Sequence, residues 1–393
     1  MMARSDTNAR TLRGRTAIAG IGVTPVGRVG KTAFELSLDA AYAALDDAGL
    51  QWRDIDGLYT IESRVDAFST AAPTIAEHLG IHPSFAMTMP TGGMQFLAAV
   101  YQAAAVIEAG VCDTVMLICA DNLLTGRGRA GVVDHFAETG HPRFENIFGA
   151  TIPTLTALYT QRHMHEHGTT EEQLAMVTVQ MRANAAQHPM AQLRTPVTIE
   201  DVLASPLISA PLRRLNCSLI SDGGVALVMT TRERAADLKS KPVYLLGAGE
   251  GRSHLHVTQA EHLDRFAAAD GARRAFAMAG VTPQDCDVGF LYDAFSILPM
   301  FYLEALGFCG RGEGGPFVAA GQIAPDGSIP LNPHGGCLGY GNPGRPGGLV
   351  MVAEAVAQLR GTAQGVQIPD ARLAVVQGNA GVVSGEMTLV FGT

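Results

Sequence analysis

Four short segments of the chain combine glycines with polar side chains, a composition typical of loops that bind ligands. They are residues 91–96, 292–295, 332–343 and 377–381. The first precedes the alanine-rich run 97–107, which predicts a helix that is apolar on all sides and therefore buried. The N-terminus of a buried helix carries N–H groups without partners and the positive end of the helix dipole. Gly93 and Met94 are therefore candidates for holding a carbonyl oxygen that gains negative charge.

The other three segments are expected near the ends of strands. Residues 292–295 follow an apolar run, and residues 377–381 continue the run that begins at Leu373. Segment 332–343 precedes a second apolar helix. Ligands of α/β proteins gather at the carboxyl ends of the strands, which favours a shared site. Each segment taken alone is equally compatible with a tight turn.

Several common catalytic motifs are missing from the chain. Its three lysines are Lys31, Lys239 and Lys241, and none lies in an apolar run that would lower its pKa, so we expect no Schiff-base chemistry. There is no GxxxxGK[ST] loop, and the residues after Gly20 and Gly22 do not complete a GxGxxG helix start. Nucleotide-dependent phosphoryl transfer and hydride transfer therefore have no support.

A histidine-rich segment is compatible with a metal site. His163 and His167 are four residues apart and can share a helix face, whereas His165 points away. No further ligand follows at a known spacing. We interpret the segment as the polar, solvated end of a helix and expect no metal.

Composition favours a cytoplasmic enzyme of two or three folding units. The chain has 393 residues, of which 47% are hydrophobic and 17% charged, so it can bury a large core. Its formal net charge of −9 and the absence of a basic run argue against nucleic acid as a partner. No apolar run is long enough to span a membrane. The six cysteines lack CxxC spacing, and the N-terminal stretch has no secretory signal.

The chain repeats itself once. Residues 48–56 align without a gap with residues 279–287, and each copy closes a helix and leads into an apolar run. A predicted helix and a glycine also precede each of two runs rich in β-branched residues, 114–119 and 373–377. Such runs between helices predict strands that are buried on both faces.

We therefore predict an α/β protein built from two duplicated halves. The predicted divisions are a mobile N-terminal arm (1–15), an N-terminal half (16–235) with an inserted cap at about 123–210, and a C-terminal half (236–393).

Together these segments resemble the thiolase superfamily, and more specifically its sterol-carrier-protein-type branch. The resemblance rests on residues 216–228 (NCSLISDGGVALV), 292–295 (YDAF) and 332–348, and it extends over nearly the whole chain. It implies two βαβαβαββ halves packed into a five-layer α-β-α-β-α sandwich. It also implies a homodimer that binds acyl-CoA.

The chain departs from the thiolase pattern at its reactive positions. The position of the nucleophilic cysteine falls on Gly93, and no cysteine lies between Asp66 and Val111. Asn342 stands where the family has the histidine of its G-H-P loop, and the second cysteine falls near Gln377. The acyl-enzyme route of thiolases requires the thiolate, so we do not expect thiolase activity.

What remains resembles the thiolase-like aldolases of steroid side-chain degradation. These enzymes split a β-hydroxyacyl-CoA by a retro-aldol reaction, which needs a base, an acid and donors for the enolate oxygen, but no covalent intermediate and no cofactor. The resemblance assigns the proton transfers to Tyr292 and Tyr340, without deciding which takes which proton. Asp293, Asn342 and His334 are weaker candidates for positioning. The resemblance also implies a separate OB-fold acyl-CoA-binding subunit as a partner.

Two other functions stay open. The first alternative to the aldolase is a non-catalytic acyl-CoA-binding subunit. The second is an acyltransferase of the acetyl-CoA acetyltransferase type that uses Cys337 or a partner's thiol. The first predicts binding without turnover. The second predicts consumption of free CoA and sensitivity to thiol alkylation.

Overall fold

Apolar strands and helices alternate along the chain. The computed structural model describes residues 11–66, 70–89, 94–128, 130–132 and 140–393. The strands are β1 (Thr16–Val23), β2 (Gly57–Ile61), β3 (Phe85–Met89), β4 (Thr114–Asn122), β5 (Leu207–Ser209), β6 (Leu212–Arg213), β7 (Asp222–Thr231), β8 (Val243–Arg252), β9 (Val288–Leu291), β10 (Leu373–Ala380) and β11 (Gly385–Gly392).

The helices carry most of the remaining chain. They are α1 (Ala33–Ala48), α2 (Ala71–Leu79), α3 (Gln95–Glu108), α4 (Ile152–His167), α5 (Glu171–Gln187), α6 (Ile199–Ala204), α7 (Arg232–Ala236), α8 (Ala268–Ala279), α9 (Ile297–Leu306), α10 (Gly314–Ala319) and α11 (Gly347–Arg360). Wide π-type turns are formed by Leu123–Arg127 and Gly336–Tyr340.

Nine strands form one hydrogen-bonded sheet, which is divided here at the β1–β8 pairing into a first sheet (β3, β2, β4, β7 and β1) and a second sheet (β8, β11, β10 and β9). The strand order is β3-β2-β4-β7-β1-β8-β11-β10-β9. Strands β2, β3 and β4 run parallel, as do β9 and β10, whereas β7 and β11 run antiparallel to their neighbours. Only Ala17 and Ile18 of β1 pair with β8, so the junction between the two sheets is narrow.

Helices cover both faces of each sheet. Helices α3 and α11 lie between the sheets and contact strands of both. Helices α1 and α2 cover the outer face of the first sheet, and α8 and α9 cover that of the second. This arrangement confirms the predicted five-layer sandwich. The prediction that 97–107 is buried on all sides is wrong for one face, because Tyr101 and Gln102 of α3 are exposed.

The internal duplication is visible in how each half begins. A capping box of Thr32 and Glu35 starts α1, and Gly49 ends it in the left-handed conformation. Gly280 ends α8 in the same way, and each glycine is followed by a 3-10 turn and a parallel strand. The aligned segments 48–56 and 279–287 are therefore structurally equivalent.

The same duplication fixes the contact between the outer helices and their sheets. A Cβ added at Gly22 of β1 would overlap the carbonyl oxygen of Ala40 in α1, and one added at Gly249 of β8 would overlap that of Gly271 in α8. Both helices therefore lie directly on strand backbone, which only glycine permits.

Residues 140–213 hold the helices of the predicted cap, α4, α5 and α6. His163 of α4 is buried, and its ring nitrogens lie 2.8 Å from Thr169 Oγ1 and 3.0 Å from Glu304 Oε1. The prediction of a solvated helix end is therefore wrong for His163, because buried partners on both sides tie α4 to α9.

The predicted domain boundaries stay predictions. Residues 1–10 of the predicted arm lie outside the described residues, whereas the N–H of Gly14 donates to the carbonyl of Leu245 at 2.7 Å. Between the halves, α7 and a short loop lead from β7 to β8. No helix in the described part of the chain has the length and apolar character needed to cross a membrane.

The glycine contacts make a stability prediction. Gly22→Ala and Gly249→Ala are each expected to destabilise the protein by about 1–3 kcal/mol, because the new methyl group forces the helix off the strand. Gly131→Ala is the matched control, since its Cβ would make an ordinary contact at 3.4 Å with the Arg127 side chain. Urea midpoints of the three variants measure the effect, and equal midpoints would contradict the packing argument.

Candidate active site

Tyr292 and Asn342 meet at the centre of the candidate site. Tyr292 directly follows β9, and its N–H donates to the carbonyl of Gln377 in β10 at 3.0 Å. The side-chain amide of Asn342 donates to the Tyr292 hydroxyl oxygen at 3.4 Å. Burial, with a smaller contribution from the Cys337 thiol, raises the pKa of Tyr292, and the Asn342 hydrogen bond opposes this. Tyr292 is therefore a phenol at neutral pH, with its own O–H free to donate.

A hydrogen-bond network fixes the Asn342 side chain. Its Nδ2 also donates to Ser218 Oγ at 3.0 Å, and its Oδ1 accepts from the N–H of Gly344 at 3.0 Å. The N–H of Asn342 donates to Ser221 Oγ at 3.0 Å. Neither serine was singled out from the sequence, although both lie in the segment 216–228 that carries the family resemblance.

Tyr292 lines a cavity of about 100 Å³. The other lining residues come from the cap helix α4, from α9 and the loop before it, and from the end of β10: Ile152, Thr156, Ala294, Phe295, Leu298, Asn379, Ala380, Gly381, Val382 and Val383. A few non-hydrogen atoms fit such a volume, since a water molecule occupies about 30 Å³ in the liquid. The cavity therefore suits the reacting centre of a substrate rather than a whole acyl chain.

Asp293 positions the loop that carries Tyr340 and Asn342. Its carboxylate is fully buried and accepts the N–H groups of Cys337 at 2.7 Å and Leu338 at 3.2 Å. Burial raises the pKa of Asp293 to about 6, and the two N–H donors oppose the shift. The contacts indicate a positioning residue, because both oxygens face the loop backbone.

Tyr340 is not among the residues that line this cavity. Its side chain is fully buried and packs edge-on against the rings of His188 and His334, with centroid distances of 4.9 and 5.3 Å. Its hydroxyl has no hydrogen-bond partner in the described part of the chain. Burial raises its pKa, and the carboxylate of Glu354 adds to the shift.

The turn that precedes Asn342 explains this separation. Gly339 packs against Ala185 of α5, so the turn Gly336–Tyr340 faces that helix. Burial lowers the pKa of His334 to about 4, and the neutral ring stacks on Phe290. Tyr340 and His334 are therefore neighbours of each other but do not line the cavity at Tyr292.

The start of α3 approaches the same strands as Tyr292. Gly93 lies outside the described residues. Met94 is fully buried directly before α3, and its sulfur packs over Gly385, while Leu97 packs over Gly378. The first turn of α3 therefore lies against β10 and β11. Strand β10 is also the strand that binds the Tyr292 backbone.

Gln377 is held in a closed hydrogen-bond network. Its Nε2 donates to Glu386 Oε2 at 2.8 Å, and its Oε1 accepts from Thr388 Oγ1 at 2.5 Å. Glu386 is fully buried, and burial raises its pKa well above the usual range. The position predicted to correspond to the second thiolase cysteine therefore holds a buried polar network in place of a thiol.

None of the six cysteines has the lowered pKa of a thiolate nucleophile. Burial raises the pKa of every one: Cys112, Cys119, Cys217, Cys286, Cys309 and Cys337. For Cys337, which is close enough to Tyr292 to affect its pKa, the Asp293 carboxylate raises the thiol pKa further. A neutral thiol is a poor nucleophile.

The chain is similar in sequence and fold to known proteins. The family model for the thiolase C-terminal domain-like family matches residues 249–393. An acetyl-CoA acetyltransferase from Methanothermobacter thermautotrophicus is 32% identical, covering 93% of this chain and 96% of the relative. A 17-hydroxy-3-oxo-4-pregnene-20-carboxyl-CoA lyase from Mycobacterium tuberculosis is 35% identical, covering 89% and 93%.

A solved structure extends the similarity to three dimensions. The structure titled Ltp2-ChsH2(DUF35) aldolase superposes with a TM-score of 0.86 at 33% identity, covering 97% of this chain and 98% of that one. The similarity spans both halves, and the acetyltransferase and the lyase are each more than 30% identical to this chain over most of their length. The chain therefore belongs to the thiolase superfamily, in which it is similar both to acetyltransferases and to thiolase-like aldolases.

Proposed function

We propose that the chain is a carbon–carbon lyase that cleaves a β-hydroxyacyl-CoA by a retro-aldol reaction. The products are a ketone or aldehyde and a shortened acyl-CoA. The observation that carries the proposal is the Tyr292 phenol at a cavity, held by Asn342 where thiolases use histidine, in a chain whose thiols are all protonated. This site retains proton transfer and lacks a nucleophile.

The reaction moves one proton within the substrate overall. The β-hydroxyl loses its proton as its oxygen becomes a carbonyl, and the electron pair of the Cα–Cβ bond passes to the thioester as an enolate. The enolate then takes a proton at the α-carbon. Tyr292 suits this last step. Its phenol oxygen accepts a hydrogen bond from Asn342, so its own proton is left to be donated to a group other than Asn342.

The other proton transfer is proposed for Tyr340. A buried hydroxyl without a partner costs the folded protein free energy, and phenylalanine in its place would avoid that cost. The turn that carries Tyr340 lies between Gly335 and Gly341, both with positive φ. An unfavourable polar group in a loop that also carries Asn342 supports a role in the reaction rather than in packing.

The substrate and the partner are proposed from the relatives. The lyase from M. tuberculosis is named for a steroid carboxyl-CoA substrate, so we propose a steroid or similarly bulky acyl group here. The solved aldolase is titled as a complex with a DUF35 protein. We propose a dimer of this chain with a separate OB-fold acyl-CoA-binding subunit. The proposed reaction needs no cofactor.

Acyl transfer is the second candidate function, favoured by the similarity to an acetyl-CoA acetyltransferase. It requires a thiolate in the site. The raised pKa values of the six cysteines oppose it for this chain acting alone.

A product assay separates the two candidates. Purified protein with its co-expressed partner is expected to convert a steroid-type β-hydroxyacyl-CoA into a ketone and a shortened acyl-CoA, detected by mass spectrometry, without free CoA. Alkylation with iodoacetamide and the change Cys337→Ser are expected to leave turnover intact, because no thiolate takes part. Strict dependence on CoA with loss of activity on alkylation would establish acyl transfer instead.

Removal of the Tyr292 hydroxyl tests the central residue. Tyr292→Phe is expected to lower kcat at least about a hundredfold, the usual size of a general acid–base contribution. Tyr42→Phe serves as the control, because Tyr42 is 56% exposed on α1, far along the chain from the site. Turnover of Tyr292→Phe within threefold of the unchanged protein would contradict the assignment.

Removal of the Tyr340 hydroxyl tests the second tyrosine and has a distinct signature. Tyr340→Phe is expected to lower kcat at least about a hundredfold while the thermal midpoint stays equal or rises, because no hydrogen bond is lost. Calorimetry and steady-state kinetics on the same preparation give both values. Normal turnover would show that Tyr340 only fills space between the two histidines.

A further inference from the structure

In the described part of the chain, Arg345 is a buried arginine that lacks hydrogen-bond partners on two of its guanidinium nitrogens. It lies in the loop between Asn342 and α11 and is 8% exposed. The two nitrogens are Nε and Nη1, and both are buried. A buried charge without hydrogen bonds destabilises a folded protein, so a bound oxygen acceptor would stabilise Arg345.

Charged groups of both signs lie near Arg345. Asp121 at the end of β4 is a nearby carboxylate, but it already accepts hydrogen bonds from Ser63 Oγ at 2.9 Å and from the N–H of Arg64 at 3.2 Å. Burial lowers the pKa of Arg64 to about 10, and the positive charges of Arg345 and Arg127 add to this, opposed by Asp121 and Glu62. The Asp121 carboxylate is therefore already engaged by donors other than Arg345.

Arg345 is joined to the candidate active site through its own loop. It follows Asn342 by three residues and precedes the first residue of α11, Gly347. A Cβ at Gly347 would lie 3.4 Å from Asn342 Oδ1 and 3.9 Å from the Tyr292 ring. The start of α11 therefore lies close to both Asn342 and Tyr292, and Arg345, two residues before it, lies near Asp121 at the end of β4.

We infer that the Arg345 guanidinium binds the thioester oxygen of the acyl-CoA and stabilises the enolate formed when the Cα–Cβ bond breaks. The inference rests on the proposed retro-aldol function. The bond's electron pair moves onto the thioester oxygen, where the guanidinium donates hydrogen bonds and positive charge. The pair returns to the α-carbon when that carbon takes its proton.

The burial of Arg345 selects this ligand over a phosphate. A nucleotide phosphate is large and hydrated, and it would have to lose much of its water shell to reach a guanidinium that is only 8% exposed, whereas a thioester oxygen is small and weakly hydrated. In such surroundings a preorganised donor acts with little screening by water, and loss of one donor to a developing oxyanion lowers kcat by about 10²–10³-fold.

Two reactions of the same protein test the inference. The first is cleavage of the β-hydroxyacyl-CoA. The second is exchange of the α-hydrogens of propionyl-CoA with D₂O, which requires an enolate but breaks no carbon–carbon bond. Arg345→Gln is expected to slow both at least about a hundredfold, with the Kd for propionyl-CoA changed less than about threefold. Its thermal midpoint is expected to stay equal or rise, because a buried charge that lacks hydrogen bonds on two nitrogens has been removed.

Two further variants guard against a structural explanation. Arg273→Gln removes an exposed arginine that pairs with Asp270 on α8, and it should leave both reactions unchanged. Arg345→Ala should regain exchange when guanidinium chloride is added but not when sodium chloride is added. Rescue by the free cation reports its chemistry and does not depend on how well Arg345→Gln folds.

The outcomes separate this inference from the proposed function. Exchange that depends on Arg345 without any cleavage would uphold the enolate site and overturn the lyase. Cleavage that is unaffected in Arg345→Gln would uphold the lyase and overturn the role of Arg345. If the unchanged protein catalyses neither reaction, both are overturned.

Discussion

The buried Asp293 carboxylate is the interaction on which the arrangement of the site depends. It joins the end of β9 to the backbone of the turn that leads to Asn342, through two N–H donors. Adjacent residues thereby serve opposite purposes: Tyr292 faces the cavity, and Asp293 faces away and holds the next loop. A Cβ at Gly336 would overlap this carboxylate, so the turn closes only because glycine stands there with a φ of 59°. Together with the hydrogen bonds of Asn342 to Ser218 and Ser221, this link sets the distance between Tyr292 and Asn342.

The duplicated architecture brings the site's parts to one place. In each half a glycine-bearing strand lets an outer helix pack closely, which leaves the inner face of each sheet to α3 and α11. The starts of these two inner helices carry the reacting loops: Met94 opens α3 against β10 and β11, and Arg345 precedes α11 beside β4. Each half thus supplies a helix start to strand ends that belong to the other half. The site therefore exists only when both halves are packed together.

The sequence predicts the fold well and the site in part. Strand and helix order follow from apolar periodicity, and the duplication follows from one aligned segment, because local patterns repeat when structure repeats. Orientation is harder to predict. On α1 the large Tyr42 is exposed, while Ala40, Ala44 and Ala48 lie directly against Gly20 and Gly22 of β1, where a larger side chain would not fit. Similarly, Tyr340 and Asn342 are only two positions apart in sequence, but a π-type turn that ends at Tyr340 places them in different surroundings.

The sequence also does not single out Arg345, because its importance depends on a buried guanidinium that lacks hydrogen-bond partners. An arginine in a glycine- and proline-rich loop reads as a surface charge, and only the packed structure shows that it is enclosed, with two of its nitrogens lacking hydrogen-bond partners among the described residues. The polar groups of the site divide accordingly. Asp293, Asn342 and Gln377 are satisfied by protein donors and acceptors, and they hold the framework rigid.

The hydroxyl of Tyr340 and the guanidinium of Arg345 are not satisfied in this way. A bound molecule can supply the hydrogen-bond partners that such groups lack in the protein. The rigid, fully hydrogen-bonded neighbours prevent Tyr340 and Arg345 from rotating toward other protein partners. The two side chains therefore stay oriented for a ligand.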